Sequence, residues 1–259
     1  INKMIKTRLI LVLFLTSCIS EKPEITMTAE KQPYLLQNHG DERIDNYYWM
    51  RDDSRSDPKV IEYLKNENKL SAEWFESKFD HQSEIVNELL EQVPDIEVSF
   101  PIKNKVYSYY QKLHKNDQLP IYYFKSENDD EILYLDPNIK LQEQEYYSIG
   151  TISPSPDNSL IAYTEDNNGR REYDIRIIDT SSLNILNDRI SNASYDVIWS
   201  NDNKYIIYLK KDPTTLIKDS VYVHRIGTSE DKDILIYKET DPEFNINLYK
   251  SKTKKICIY

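Results

Sequence analysis

The sequence predicts a mainly β protein: an incomplete β-propeller of about three blades behind an α-helical N-terminal segment. Three observations predict it. From about Phe100 onward, short Tyr- and Ile-rich stretches alternate with a period of two and are separated by turn residues. Pro156-Asp157-Asn158 leading to Leu160-Ile161-Ala162-Tyr163 is repeated by Asn201-Asp202-Asn203 leading to Tyr205-Ile206-Ile207-Tyr208, at an offset of 45 residues. That is the length of one propeller blade. Ahead of these strands, apolar residues between Asp57 and Val93 recur with helical spacing. A ring needs about four blades or more to close, and the strand beginning at Lys255 has only started at Tyr259. The chain therefore reads as the front part of a larger protein.

At the N-terminus, Lys3, Lys6 and Arg8 precede the apolar run Leu9–Leu15, which ends in Leu15-Thr16-Ser17-Cys18. A basic start, a short apolar core and small residues before a cleavage point describe an export signal. The run is about half the length needed to span a bilayer. Its last four residues resemble a bacterial lipobox, which makes Cys18 the candidate lipidation site. The alternatives are an ordinary signal peptide with an incidental cysteine, or a buried strand. A polar stretch with Pro23 and Pro33 follows and reads as a tether.

The stretch Gln32–Asp53 is expected to be extended and pinned by Tyr47, Tyr48 and Trp49. Asp57 then caps a helix with Pro58 in its first position, where the missing N–H has no partner to lose. Val60, Ile61, Leu64, Trp74, Phe75 and Phe79 form its apolar stripe. A second helix is expected from about His81 to Gln92, with Ile85, Val86, Leu89, Leu90 and Val93 on one face and Pro94 ending it. Two such helices cannot bury their stripes on each other alone. Beyond Val98, strands at Val106–Leu113 and Ile121–Lys125 flank Lys115-Asn116-Asp117 as a hairpin, and Ile132–Leu135 follows. Tyr173–Ile178, Val221–Ile226 and Ile234–Tyr237 are further strands. An unclosed β-sandwich is the competing architecture.

Composition bounds the function. The formal net charge is −11 over 259 residues, which argues against a nucleic-acid partner, because a phosphate backbone needs a basic surface. Only four glycines are present, so Asn and Asp must supply the left-handed turn positions. Cys18 and Cys257 are the two cysteines. Cys257 sits in an apolar alternation and reads as a small buried hydrophobe. His39, His81, His114 and His224 show no metal-ligand spacing, and each is assigned surface or structural duty. No metal or other cofactor is expected.

Several stretches carry a resemblance. His39 to Asp52 reads His-Gly-Asp-Glu-Arg-Ile-Asp-Asn-Tyr-Tyr-Trp-Met-Arg-Asp, and Tyr63 to Asn68 reads Tyr-Leu-Lys-Asn-Glu-Asn. Together they resemble the opening of the prolyl oligopeptidase family of serine peptidases. Tyr109-Tyr110, Pro120-Ile121-Tyr122 and Ile152-Ser153-Pro154-Ser155-Pro156-Asp157 are similar to its first blades. Val223-His224-Arg225-Ile226-Gly227-Thr228 and the stretch Tyr237–Phe244 look most like the oligopeptidase B branch. The resemblance covers about residues 33 to 259.

It implies a seven-bladed propeller inserted after a helical segment and capping an α/β-hydrolase domain, on which that segment would pack. It also implies hydrolysis of short peptides through an acyl-enzyme. A propeller of this kind would act as a size filter, and the acidic balance would draw basic peptides by long-range attraction. The implied organisation is residues 1–18 as signal peptide with lipobox, 19–32 as tether, 33–97 as helical segment and 98–259 as partial propeller. Its blades run at about 98–148, 149–194 and 195–243, and a fourth opens at 244. The nucleophile elbow Gly-x-Ser-x-Gly does not occur around Gly40, Gly150, Gly169 or Gly227, so no catalytic residue is assigned and the chain alone is expected to be inactive. Its partners are expected to be short peptides, the membrane only through a lipid anchor, and no nucleic acid. The location expected is the bacterial cell envelope, facing the periplasm. A lipid-anchored propeller that binds a ligand without catalysis, or the relic of a broken gene, are the alternatives.

Overall fold

The computed structural model describes residues 28–78, 82–127, 130–251, 253 and 256–258. The export signal with Cys18, the start of the tether, Phe79, His81 and the side chain of Cys257 lie outside the described residues. The chain divides into a unit ending at Leu90 and a unit from Glu91 onward.

In the first unit, β1 (Tyr34–Asn38) and β2 (Asp41–Asp45) form an antiparallel hairpin. The sequence led us to expect an extended segment here. The turn explains the difference: His39 and Gly40 both take positive φ, 52° and 83°, as a two-residue hairpin turn of type I′ requires. His-Gly is a less familiar form of that signal than Asn-Gly. Tyr34 stacks on Tyr48 at 4.2 Å between ring centroids. Trp49 donates its indole N–H to the Glu30 carbonyl at 2.9 Å, and Lys59 meets the Glu30 carboxylate at 2.7 Å.

Helix α1 (Pro58–Lys78) begins as its sequence dictates. The Asp57 carboxylate accepts the Lys59 N–H at 2.8 Å, and the Asp57 carbonyl receives the Ile61 N–H at 3.0 Å. Helix α2 (Gln82–Gln92) follows. Its apolar face is formed but uncovered: Ile85, Val86, Leu89 and Leu90 are 45% to 59% exposed.

The second unit opens with a sheet of β3 (Ile96–Val98), β4 (Ile102–Asn104), β5 (Tyr107–His114), β6 (Ile121–Lys125) and β7 (Ile132–Leu135). β3 and β4 both pair with β5, at its opposite ends. They act as one strand interrupted around Phe100-Pro101, since proline cannot donate to the ladder. A short helix, α3 (Pro137–Leu141), follows; the Asp136 carboxylate caps it by accepting the Asn138 N–H at 3.0 Å. Five residues are too few to show a helical period, and the Asp136-Pro137 cap, the same signal as Asp57-Pro58, had no apolar stripe behind it.

The remaining strands are β8 (Ser148–Pro154), β9 (Leu160–Asp166), β10 (Tyr173–Asp179), β11 (Ile185–Trp199), β12 (Tyr205–Lys211), β13 (Lys218–Arg225), β14 (Ile234–Lys238), β15 (Leu248–Lys250) and β16 (Ile256–Ile258). β8 to β14 are joined in chain order, all antiparallel. β11 is the hinge of this arrangement. Up to Ala193 it pairs with β10, and from Ala193 to Trp199 it pairs with β12. Asn192 lies between the halves at φ 55°. One strand is therefore the last of one four-stranded blade and the first of the next. β15 and β16 begin another antiparallel pair.

Apolar clusters fill the junctions between blades. Tyr109, Phe124 and Tyr134 meet Ile161, Tyr163 and Ile178. Ala162, Ile175, Ile177 and Ile190 meet Val197, Trp199, Ile206 and Tyr208. Ile198, Ile207, Leu209 and Val221 meet Ile246 and Leu248. Strand alternation thus gives each blade two apolar faces, as stacking around a ring requires.

Candidate functional site

The 45-residue repeat is a repeated piece of chemistry. In the first copy the Ser155 hydroxyl donates to Asp157 at 2.7 Å and accepts the Leu160 N–H at 3.0 Å. In the second, Ser200 donates to Asp202 at 2.5 Å and accepts the Tyr205 N–H at 3.0 Å. Asn158 and Asn203 close the turns at φ 65° and 62°, the role Asn takes over when glycine is scarce. The copies are also joined, since the Asp157 N–H donates to the Asn203 side-chain carbonyl at 3.1 Å. The first strands of successive blades are stitched by side chains as well. The Trp199 indole donates to the Ser153 carbonyl at 2.7 Å, and the Lys250 ammonium to the Trp199 carbonyl at 2.8 Å.

His224 is fully buried on β13. Its Nδ1 lies 2.6 Å from Asp233 and its Nε2 lies 3.0 Å from Asp188 on β11. Asp188 also accepts the Gly227 N–H at 2.6 Å, and Asp233 accepts the Tyr208 hydroxyl at 2.8 Å. Burial, reinforced by Asp233, pushes the Tyr208 phenol up. This network ties the second blade to the third. The structural duty assigned to His224 holds, while its carboxylate partners, 36 and 9 residues away in sequence, carried no signal. Among the described residues no cluster of His, Cys, Asp and Glu is arranged to hold a metal ion.

Two open features lie near the first strands. One is a cavity of about 530 Å³ between the first sheet and β8, lined by Tyr109, Tyr122, Tyr134, Ile149 and Pro154 among others. The other is built where β8, the second half of β11, the β9–β10 loop and the end of β12 come together. Gly150 allows the Tyr173 ring to lie over β8: a Cβ at Gly150 would stand 2.7 Å from that ring and 2.6 Å from the Thr164 hydroxyl. Tyr173 meets Tyr195 edge to face at 6.3 Å. Gly169, at φ 73°, supports the Tyr146 ring at van der Waals distance.

The β9–β10 loop is held by Asp166, which is buried. Its carboxylate accepts the N–H groups of Asn168, Gly169 and Arg171 at 3.0, 2.9 and 2.8 Å. Arg171 is fixed at φ 58°, and its carbonyl receives the Lys211 ammonium at 2.7 Å. Burial lowers the Lys211 ammonium; Lys218 and Arg171 lower it further, against the opposing pull of Glu172 and Asp166. Sequence reasoning missed this place because its residues come from four strands and a loop.

Comparison with known proteins accords with this architecture. Residues 27–259 match the family described as prolyl oligopeptidase, N-terminal beta-propeller domain. The chain is 29% identical over 262 residues to dipeptidyl aminopeptidase BI of Pseudoxanthomonas mexicana, covering 94% of this chain and 36% of that protein. It is 31% identical over 241 residues to protease 2 of Moraxella lacunata, covering 89% and 34%. Among solved structures, oligopeptidase B from Leishmania major superposes with a TM-score of 0.80 at 25% identity, covering 89% of this chain and 35% of that one. The chain spans about a third of the length of the curated relatives it matches.

Proposed function

The chain belongs to the prolyl oligopeptidase family by its N-terminal β-propeller domain, and from that premise we propose that it is the propeller-bearing part of a serine endopeptidase that hydrolyses short peptides. The observation that carries this is the match of nearly the whole chain to the family's propeller, with partner-switching β11 and stacked blades. The chemistry belongs to a serine, a histidine and an aspartate outside this sequence. The serine attacks the peptide carbonyl, the histidine moves the proton, the aspartate orients the histidine, and backbone N–H groups stabilise the oxyanion. The blades would restrict entry to peptides narrow enough for an axial channel, and opening against a hydrolase domain would gate it. The exposed faces of α1 and α2 would pack on that domain.

The basic start, the short apolar run and Leu15-Thr16-Ser17-Cys18 support export and a lipid anchor on Cys18 in a bacterial envelope, facing the periplasm. Among the described residues no helix is long and apolar enough to cross a membrane.

The test is made on the native product, captured from its source with antibodies against this chain. A fluorophosphonate probe should label a polypeptide about three times the length of this chain, and labelled material should cleave short peptides but not folded proteins. Absence of probe labelling in the captured product overturns the peptidase reading. Radiolabelled palmitate should enter the wild-type product and not the Cys18→Ser variant; equal labelling would remove Cys18 as the anchor.

A further inference from the structure

We propose that the loop end of β8 and β11 is a carboxylate subsite, in which Arg171 and Lys211 receive the carboxylate of a bound peptide while Tyr173 and Tyr195 hold the side chain next to it. That the ligand is a peptide rests on the peptidase reading above; the site itself rests on its geometry.

Three observations converge. The first is charge. In a chain of net charge −11, neither the Arg171 guanidinium nor the Lys211 ammonium has a carboxylate within ion-pair distance among the described residues. The nearby acids are already engaged. Asp166 is committed to the backbone of its own loop. Asp196 pairs with Lys218 at 3.3 Å and accepts from Ser194 at 2.9 Å. Glu172 faces Arg170 at 4.0 Å.

The second observation is cost. Lys211 is half-buried with a carbonyl as its hydrogen-bond partner; burial disfavours its charge most, and among its charged neighbours Lys218 and Arg171 oppose the pull of Glu172 and Asp166 without any of these acids reaching it as an ion pair. A half-buried cation with no carboxylate partner costs a fold stability. Such costs concentrate where a ligand of opposite charge binds. Arg171 adds a second: a non-glycine residue in the left-handed region, pinned by Asp166 on its N–H and by Lys211 on its carbonyl. Strain of this kind is held where the aim of a side chain matters.

The third observation is the floor. Two of the four glycines in the chain serve the tyrosines of this site. Gly150 admits the Tyr173 ring where any side chain would clash, and Gly169 seats Tyr146. Tyr195 is 48% and Tyr146 43% exposed, and Lys218 lies 5.4 Å from the centre of the Tyr195 ring. Cations beside open aromatic faces suit a peptide carboxylate with an apolar or aromatic neighbour. This local preference runs opposite to the long-range pull of the acidic surface on basic peptides.

The ligand carboxylate could be an acidic side chain or a free C-terminus, and three probes separate them: acetyl-Ala-Tyr-Glu-Ala-amide, its Gln counterpart, and acetyl-Ala-Tyr-Gln-Ala with a free C-terminus. Binding to the full chain is measured by calorimetry or ligand-observed NMR. At least one anionic peptide should bind about tenfold tighter than the neutral one, the size expected for a charge-assisted pair. Preference for the Glu peptide assigns the site to side chains, and preference for the free acid assigns it to C-termini. Arg171→Gln and Lys211→Gln, each checked for an unchanged melting temperature, should abolish the discrimination. Gly150→Ala should weaken all three peptides alike if it folds. Equal binding of the three peptides, or discrimination that survives both charge variants, overturns the proposal. Peptide cleavage is not read in this experiment, so its result is separate from that of the fluorophosphonate test.

Discussion

In the helical segment, Val60 is the buried hydrophobic residue among those described, whereas each junction between blades encloses a cluster of six or more. The contrast is not one of local pattern. Helix α2 has as clean an apolar stripe as β9 or β12 has a continuous apolar run. It lies in what each pattern needs as a partner. A blade presents two apolar faces, and the next 45 residues of the same chain supply the sheet that covers one of them. The stripe of α2 meets no such neighbour, and Leu89 remains 59% exposed. Amphipathicity specifies an element and the face it must bury; it does not specify what buries it.

The comparison breaks most readily at a blade junction. Trp199 is 2% exposed, packs between the second and third blades and donates to Ser153. Trp199→Ala should lower the free energy of unfolding by about 3–5 kcal/mol, read from urea transitions of the full chain. Leu89→Ala, on the open face of α2, should stay within about 0.5 kcal/mol. Similar losses for the two variants would mean that the helical face is covered in solution.

The buried polar junction should come next. His224→Asn removes the ring that bridges Asp188 and Asp233, and each buried carboxylate loses one of its hydrogen-bond partners. A loss of about 3 kcal/mol is expected, in the same urea transitions. A neutral result would show that the His224 network contributes nothing measurable to stability.

The smallest effect concerns the turns. For Asp202, the Ser200 hydroxyl and then the Lys204 N–H hold the carboxyl below its ordinary value of 3.8. For Asp179, the Ser181 hydroxyl and the Ser182 N–H do the same, as the Thr215 and Thr214 N–H groups do for Asp212. A carboxylate with a depressed folded-state value stabilises the fold in full above the unfolded value. That contribution is lost as pH falls through the folded value. Melting temperature should therefore drop on acidification below about 3.8, and Asp202→Ala should shallow that dependence. An unchanged acid profile in the variant would show that the turn contributes nothing measurable.

The elements legible in advance were those whose signal is contiguous. Asp57-Pro58 announced α1, Pro94 marked the end of α2, and the Ser-x-Asp-Asn turns announced β9 and β12. Less legible were features whose signal is spread or unfamiliar. The His39-Gly40 turn escaped because histidine seldom opens a hairpin turn. Asp179 to Leu183 and Asp212 to Leu216 form the same turn, each closed by a leucine at positive φ, 59° and 61°. Yet one joins β10 to β11 and the other β12 to β13, so the pair follows no blade period. The subsite residues were invisible as a group. Gly150, Arg171, Tyr173, Tyr195 and Lys211 are ordinary at their own positions, and their meaning arises where four strands and a loop come together.

The sequence by itself determined helices α1 and α2, most of the strands and the repeat length, because these follow from side-chain periodicity and turn chemistry within about ten residues; the family was legible as a resemblance of several stretches in order. Tertiary structure alone decided that β11 serves two blades, that His224 is held by Asp188 and Asp233, and that Lys211 reaches the Arg171 carbonyl while neither cation has a carboxylate within ion-pair distance among the described residues. Those outcomes depend on which groups are brought together and removed from water. Burial and charge pairing act through space, between residues that no local pattern connects.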